Sequence, residues 1–123
     1  MTFVPDNFNV WMEIPVTDLD KAVNFYNEVF KTELSRVTDM GPNEFAMFPA
    51  KNSGVAGHLY PGTPAARGTG PTIHLVCPDT LEETMERFAK AGGEIISDPI
   101  AIPAGRFAYA IDPDGNSIGL FAA

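Results

Sequence analysis

The stretch VWMEIPV (residues 10–16) decides the fold, together with a second stretch of the same kind, TIHLVC (residues 72–77). Both alternate with period two, which is typical of half-buried β-strands. Apolar residues occupy the even positions of the first stretch and the odd positions of the second. Glu13 and His74 each lie in the other row of their strand, among large apolar groups. The pattern therefore predicts that each strand has one face covered by a helix and one face that lines a pocket.

Length and composition limit the classes of protein to consider. The chain has 123 residues, of which 45% are hydrophobic and 20% charged, as expected for one globular domain. The net charge of −8 argues against a nucleic-acid partner, because phosphate would be repelled. No apolar run approaches the roughly 20 residues that span a bilayer. The N-terminus lacks the pattern of a signal peptide, so we expect no membrane association and a cytoplasmic location.

Cys77 is the only cysteine, which excludes an internal disulfide and a metal site built from several cysteines. It lies in the apolar row of its strand, and we therefore expect it to be buried as a small hydrophobic residue.

Hydrophobic periodicity and turn residues predict one order of elements twice, strand–helix–strand–strand–strand. The predicted strands are 10–16, 33–38, 44–49, 55–60, 72–77, 94–97, 106–111 and 117–121. The first helix begins at Thr17 or Asp18 and runs to about residue 31, and the second covers about 80–91. Turns are predicted at 40–43 and 112–116. Residues 61–70 (PGTPAARGTG) contain three glycines and two prolines, so they predict a linker.

The two halves of the chain repeat at a constant spacing. Glu13 and His74, Asp18 and Asp79, and Leu59 and Leu120 are each 61 residues apart. A unit of this size cannot easily bury its core alone, so the repeats should pool their sheets. We therefore predict an α+β fold in a single domain: two tandem βαβββ modules, about 7–60 and 71–123, form a curved eight-stranded mixed sheet around a cavity, with the helices outside.

Four motifs carry a resemblance to a known family. They are EIPVTDL (13–19), the AVNFY segment of the first helix (22–26), Gly92-Gly93, and DPDGNSIGL (112–120). Together they resemble the vicinal oxygen chelate superfamily, which includes glyoxalase I, bleomycin-resistance proteins and extradiol dioxygenases. The resemblance covers essentially the whole chain, and it is greatest to the small glyoxalase-related proteins. It implies the paired-module fold and a site inside the cavity.

The resemblance also implies where metal ligands would lie, on the first and last strand of each module. In this sequence those positions are Trp11, His58, Thr72 and Gly119. Only His58 binds a divalent metal in the ordinary way, so we expect no metal cofactor at these positions. The alternative is a displaced site, formed by Glu13, His58 and His74, for one Zn, Ni, Mn or Fe ion.

Glu13 and His74 are also the candidate catalytic residues. Either they form a hydrogen-bonded acid–imidazole pair at the floor of the cavity, or they transfer protons. The candidate ligand contacts are aromatic or polar: Trp11, His58, Tyr60, Thr72, Arg106, Tyr109 and Phe121. Arg106 either receives a carboxylate or phosphate, or is a solvated surface residue.

Three interpretations of function stay open. The first is a metal-free protein that binds a small, partly aromatic or apolar molecule in the cavity, for sequestration or sensing. The second is a metal-dependent glyoxalase-like lyase or dioxygenase that uses the displaced site. The third is a metal-free enzyme with Glu13 as base and His74 as acid. Because superfamily members often pair chains, the resemblance also implies a homodimer.

Overall fold

A computed structural model describes residues 1–41 and 43–123 of the chain. Its elements, in chain order, are β1 (Glu13–Val16), α1 (Leu19–Phe30), β2 (Ser35–Val37), β3 (Phe45–Met47), β4 (His58–Pro61), β5 (Ile73–Val76), α2 (Leu81–Lys90), β6 (Glu94–Ile95), β7 (Ile100–Ile102), β8 (Gly105–Ile111) and β9 (Ser117–Ala122). Pro42, in the turn predicted at 40–43, lies outside the described residues.

The strands form two mixed sheets, one for each module. The first has the order β1-β4-β3-β2, and the second has the order β5-β9-β8-β6, with β7 paired to β8. In each sheet the first strand of the module runs parallel to the last, β1 beside β4 and β5 beside β9. The predicted α+β class and the repeated modules are confirmed.

The strand arrangement differs from the prediction in two respects. The described part of the chain has nine strands rather than eight, because β7 is a three-residue strand too short to show a period-two pattern. These strands form two sheets rather than one. Both β1 and β5 have a partner on one side only, so each leaves a free edge.

Each helix begins at a capping residue in a different way. Asp18 caps α1, and its side chain accepts a hydrogen bond from the backbone N–H of Lys21 at 3.1 Å. Thr80 caps α2: its hydroxyl accepts a hydrogen bond from the backbone N–H of Glu83 at 3.1 Å and donates one to the Glu83 carboxylate at 3.0 Å. Neither helix of the described residues is long and apolar enough to cross a membrane.

The two helices meet in the middle of the core. The rings of Phe25 in α1 and Phe88 in α2 pack edge to face with centroids 5.0 Å apart. Each helix covers one face of its own sheet, so the buried residues of both modules join one cluster. Cys77 belongs to this cluster, and burial raises the pKa of its thiol. The other face of each sheet points away from the helices and is partly exposed.

A buried carboxylate ties the second module to the first. Asp112, in the turn between β8 and β9, is 1% exposed and accepts a hydrogen bond from the Tyr26 hydroxyl at 2.7 Å. The backbone N–H groups of Asp114 and Asn116 donate to the same carboxylate. The Asn116 amide also donates to the carbonyl of Pro15 in β1 at 2.9 Å. Burial, and then the charge of Asp112, raise the pKa of Tyr26 well above its ordinary value.

We predict that Tyr26→Phe lowers the free energy of unfolding by about 1–3 kcal/mol, because it leaves a buried carboxylate short of one donor. Urea denaturation followed by circular dichroism measures the change. The control is Tyr109→Phe, whose hydroxyl lies on an exposed face and which should change stability by less than about 0.5 kcal/mol. Equal effects of the two substitutions would contradict the proposed role of the Tyr26 hydroxyl.

A second polar cluster joins the end of α1 to the start of α2. Arg87 donates two hydrogen bonds of 2.8 Å to the carboxylate of Asp79 and one of 2.9 Å to the carbonyl of Val29. Lys31 lies 3.0 Å from the same carboxylate, and the Thr84 hydroxyl donates to it. Hydrogen bonds from Arg87, followed by those from Lys31 and Thr84, hold the pKa of Asp79 well below its usual range.

This lowered pKa predicts a pH-dependent contribution to stability. A carboxylate with a depressed native pKa stabilises the fold fully above its unfolded pKa of about 3.9, and the contribution fades as the pH falls toward the native pKa. Wild type should therefore exceed Asp79→Asn in unfolding free energy at pH near 7, and the gap should shrink at pH near 3. Urea denaturation at both pH values measures it, with the exposed Asp98→Asn as control. A gap independent of pH would contradict the prediction.

Candidate functional site

The exposed face of the first sheet contains a hydrogen-bonded histidine. Parallel pairing sets Glu13 of β1 opposite His58 of β4, and alternation along the strands puts both side chains on the face away from α1. The Trp11 indole N–H donates to His58 Nδ1 at 3.0 Å. His58 Nε2 lies 3.2 Å from Glu13 Oε1. Because an indole nitrogen only donates, neutral His58 must carry its proton on Nε2, where it faces Glu13.

Aromatic rings surround this histidine. The ring centroids of Phe45, Trp11 and Tyr60 lie 4.7, 5.9 and 6.1 Å from that of His58. The His58 side chain is 14% exposed, whereas that of Glu13 is 64% exposed. We call these five residues the module 1 open face. A hydrogen bond from Trp11 to His58 and a close contact from His58 to Glu13 therefore cross an aromatic surface and end at an accessible carboxylate.

The exposed face of the second sheet contains the other histidine. His74 lies opposite Gly119 in the ladder of β5 and β9, and a Cβ atom at position 119 would overlap the His74 ring. The edges of Phe107 and Tyr109 pack against that ring, with centroids 5.3 and 6.0 Å away. The module 2 open face consists of His74, Val76, Phe107, Tyr109 and Phe121.

We predict that Gly119→Ala displaces the His74 ring without unfolding the protein. The added methyl group needs the space that the ring fills, and an exposed side chain can swing toward solvent. The NMR signals of the His74 ring should move, and its contacts to Phe107 should vanish. His58 is the only other histidine, and its signals serve as the internal control. Unchanged His74 signals would contradict the predicted overlap.

A cleft of about 780 Å³ opens between the modules, on the helix side of the first sheet and along the free edge of β5. Of the predicted site residues, only Thr72 and His74 line it. The hydroxyls of Thr72 and Ser117 are 2.6 Å apart and share a hydrogen bond. We call this space the inter-module cleft. The predicted site residues are therefore divided between two open faces and a cleft.

Two predicted constellations are not found as predicted. The structure pairs Glu13 with His58 and not with His74, because β1 adds to β4 whereas β5 lies in the other sheet. For the same reason the displaced metal set is not assembled in one chain. Within residues 1–41 and 43–123, no group of three histidine, cysteine, aspartate or glutamate side chains could hold a metal ion.

Arg106 lies outside both open faces. It occupies the helix side of β8, where its guanidinium donates to both carboxylate oxygens of Glu82 at 2.7 and 2.9 Å. These hydrogen bonds hold the pKa of Glu82 below its usual range. The structure thus places Arg106 in a surface ion pair, and we leave it out of the candidate site.

The sequence analysis missed two ring contacts to the histidines, Phe45 and Phe107. Phe107 stands two residues before Tyr109 on the same strand, so the period-two pattern would have placed both rings on one face. The same pattern in the predicted strand 44–49 puts Phe45 and Met47 in one row, so it also offered a signal for Phe45.

Comparison with known proteins agrees with this architecture. The model of the Glyoxalase/Bleomycin resistance protein/Dioxygenase superfamily matches residues 9–120. The chain belongs to this superfamily. It is 29% identical over 107 residues to "Putative glyoxylase CFP32" of Mycobacterium bovis, which covers 86% of the chain. The chain spans only 40% of the length of that relative.

Several solved structures share the fold. The S. aureus hypothetical protein SA1046 superposes with a TM-score of 0.69 at 20% identity, covering 97% of this chain and all of its own. FosX, a fosfomycin resistance protein of Listeria monocytogenes, gives 0.68 at 20% identity over 98% of this chain and 93% of its own. UcmS2 gives 0.66 at 26% identity over 91% and 95%.

Proposed function

We propose that this protein binds a small, partly aromatic molecule on the module 1 open face, without a metal ion. The observation that carries the proposal is the line of contacts from Trp11 through His58 to Glu13, set among aromatic rings. Family membership supports a ligand site in general terms. The contacts around His58 support the position of the ligand site and the kind of ligand that it binds.

The geometry favours a ligand with a flat part and a hydrogen-bond donor. Aromatic rings such as Phe45 and Tyr60 pack well against another flat ring, in stacked or edge-to-face arrangements. The exposed carboxylate of Glu13 can accept a hydrogen bond from a ligand hydroxyl or amide N–H. Both nitrogens of His58 have a neighbour, Trp11 on one side and Glu13 on the other, so the imidazole is oriented and Glu13 lies beside it.

The chemistry of the donor set supports binding without metal. Of the four positions that the superfamily uses for metal ligands, Trp11 and Gly119 offer no ligating side chain, and the Thr72 hydroxyl is a weak ligand. At position 11 the side chain is an indole, and its N–H donates to His58, the one histidine among these four positions. These residues do not fit the metal of the superfamily.

A second candidate function is proton transfer, and the contact of Glu13 with His58 favours it. A carboxylate beside an imidazole can act as a general base while the imidazole holds or returns the proton. The base is then Glu13, as the sequence suggests, but its partner is His58 instead of His74.

The decisive experiment is a binding screen that uses the single tryptophan as reporter. Flat aromatic compounds with hydroxyl or amide groups are added to chelator-treated protein, and in parallel to protein supplied with Zn, Ni, Mn or Fe(II). We expect compounds that change Trp11 fluorescence without metal, and roughly tenfold weaker binding by Glu13→Gln, since a hydrogen bond to a charged group contributes about 1.5–3 kcal/mol.

The control variant is Glu86→Gln, an exposed carboxylate on α2 that should leave binding unchanged. Binding that requires added metal, or that ignores Glu13→Gln, would contradict the proposal. A compound that is consumed by wild type, and bound but not consumed by Glu13→Gln, would establish the second candidate function.

We also propose that two copies pair through the module 2 open face. Large apolar side chains lie exposed on or beside it, including Val76, Ile96 and Tyr109, and exposed patches of this kind mark contact surfaces. Val76→Glu should then convert a homodimer to a 13.3 kDa monomer in sedimentation velocity at micromolar concentration. The control is Met40→Glu, which places the same charge at an exposed apolar residue between β2 and β3. A monomeric wild type would contradict the proposal.

A further inference from the structure

The module 1 open face has one carboxylate and no basic side chain. Residues that lie opposite each other in a β-ladder share a face, and alternate residues of a strand do the same. Besides the five residues that define the face, its strands therefore place four more side chains on the same side: Pro15, Ser35, Val37 and Met47. Glu13 is the one acidic residue of this set, and none of the set is a lysine or an arginine.

Arg36 is the one basic residue in the strands of the first sheet, and it lies on the opposite side. It pairs in the ladder with Ala46, which is fully buried beneath the helices. Its guanidinium donates to Asp20 of α1 at 2.8 Å and to the carboxylate of Glu44. Two carboxylates thus hold the charge of Arg36 on the helix side of the sheet, away from Glu13.

The charge of Glu13 has no cationic side chain against it. The other three arginines of the chain donate to carboxylates of the second module. Among the ion pairs of residues 1–41 and 43–123, only the contact with His58 includes Glu13. A neutral imidazole offers that carboxylate an N–H group but no charge. Glu13 therefore presents an uncompensated negative charge, and its side chain is 64% exposed.

We propose that the ligand of the module 1 open face is a flat organic cation, an aromatic ring that bears a protonated nitrogen group such as an amidinium. The proposal rests on the proposed function, since it takes this face as the binding site. The cationic group pairs with Glu13, and the neighbouring rings of Trp11, Phe45 and Tyr60 attract positive charge through their faces. The net charge of −8 draws cations toward the protein and repels anions.

A cation matches this carboxylate better than a neutral hydrogen-bond donor does. A neutral hydroxyl or amide N–H bonds one oxygen of Glu13 and leaves the charge in place, whereas an amidinium supplies donors and the opposite charge together. An ion pair and a cation–π contact at an exposed site each contribute modestly. Together they correspond to a preference of about threefold to thirtyfold for the cation over a neutral molecule of the same shape.

Three probes of nearly identical shape test the proposal: benzamidine, which is a cation, benzamide, which is neutral, and benzoate, which is an anion. Their affinities are measured through the fluorescence of Trp11 at low ionic strength and mildly alkaline pH, where the amidinium keeps its charge. We expect benzamidine to bind at least about threefold more tightly than benzamide, and benzoate to bind most weakly. Added sodium chloride should weaken the binding of benzamidine and leave that of benzamide nearly unchanged.

Two variants with the same net charge separate the local carboxylate from the overall charge of the protein. Glu13→Gln should reduce the ratio of the benzamidine and benzamide affinities to about one. Glu86→Gln removes an exposed carboxylate on α2 and should keep the wild-type ratio. A preference for benzamidine that persists in Glu13→Gln, or that is lost equally in both variants, would overturn the proposal.

The same series distinguishes failure of this proposal from failure of the proposed function. Equal affinities for benzamidine and benzamide, or tighter binding of benzoate, would overturn the cationic ligand and leave an aromatic binding face in place. The same holds if none of the three probes binds while a neutral compound of the wider screen does. A screen in which no compound of any charge changes Trp11 fluorescence would contradict the proposed function and this proposal together.

Discussion

The buried carboxylate of Asp112 is the interaction on which the rest of the structure depends. It accepts a hydrogen bond from Tyr26, 86 residues away in the chain, and it organises the turn whose Asn116 holds β1 through Pro15. A buried charge without such donors would be strongly destabilising. Throughout the described ranges, no buried side-chain nitrogen or oxygen lacks a hydrogen-bond partner. The orientation of β1 relative to the second module is thus held through this turn, where Asp114 also accepts hydrogen bonds from the backbone N–H and the hydroxyl of Thr17.

With β1 fixed and the helices packed against each other, the open faces follow from strand geometry. Alternation sends Ile14 and Leu59 into the core, and it sends their neighbours Glu13 and His58 to the other side. The same pairing in the second module sets His74 beside Gly119. His58 and Gly119 are equivalent in the repeat, so the two modules present their imidazoles on different strands. A duplicated fold therefore carries two dissimilar surfaces.

Sequence reasoning predicted what depends on local pattern. The period-two rows placed Glu13 and His74 on faces away from the helices, and the 61-residue spacing gave the repeat. It could not predict the partner of Glu13, because that depends on whether β1 pairs with β4 or joins β5 across the modules. It also could not assign Arg106, since an arginine serves equally well in an ion pair or an anion site. Pairing over long separations and the choice of charge partner are decided only by the assembled fold.

The measurement that tests the account most directly is the tautomer of neutral His58, observed through its ring nitrogens by ¹⁵N NMR at alkaline pH. His74→Ala assigns the signals, and Trp11→Phe shows what the indole contributes. The account predicts a proton on Nε2, facing Glu13, in wild type, with Nδ1 as the acceptor. A proton on Nδ1 would contradict it, because the Trp11 N–H would then have no acceptor on His58 and Glu13 would have no donor from it.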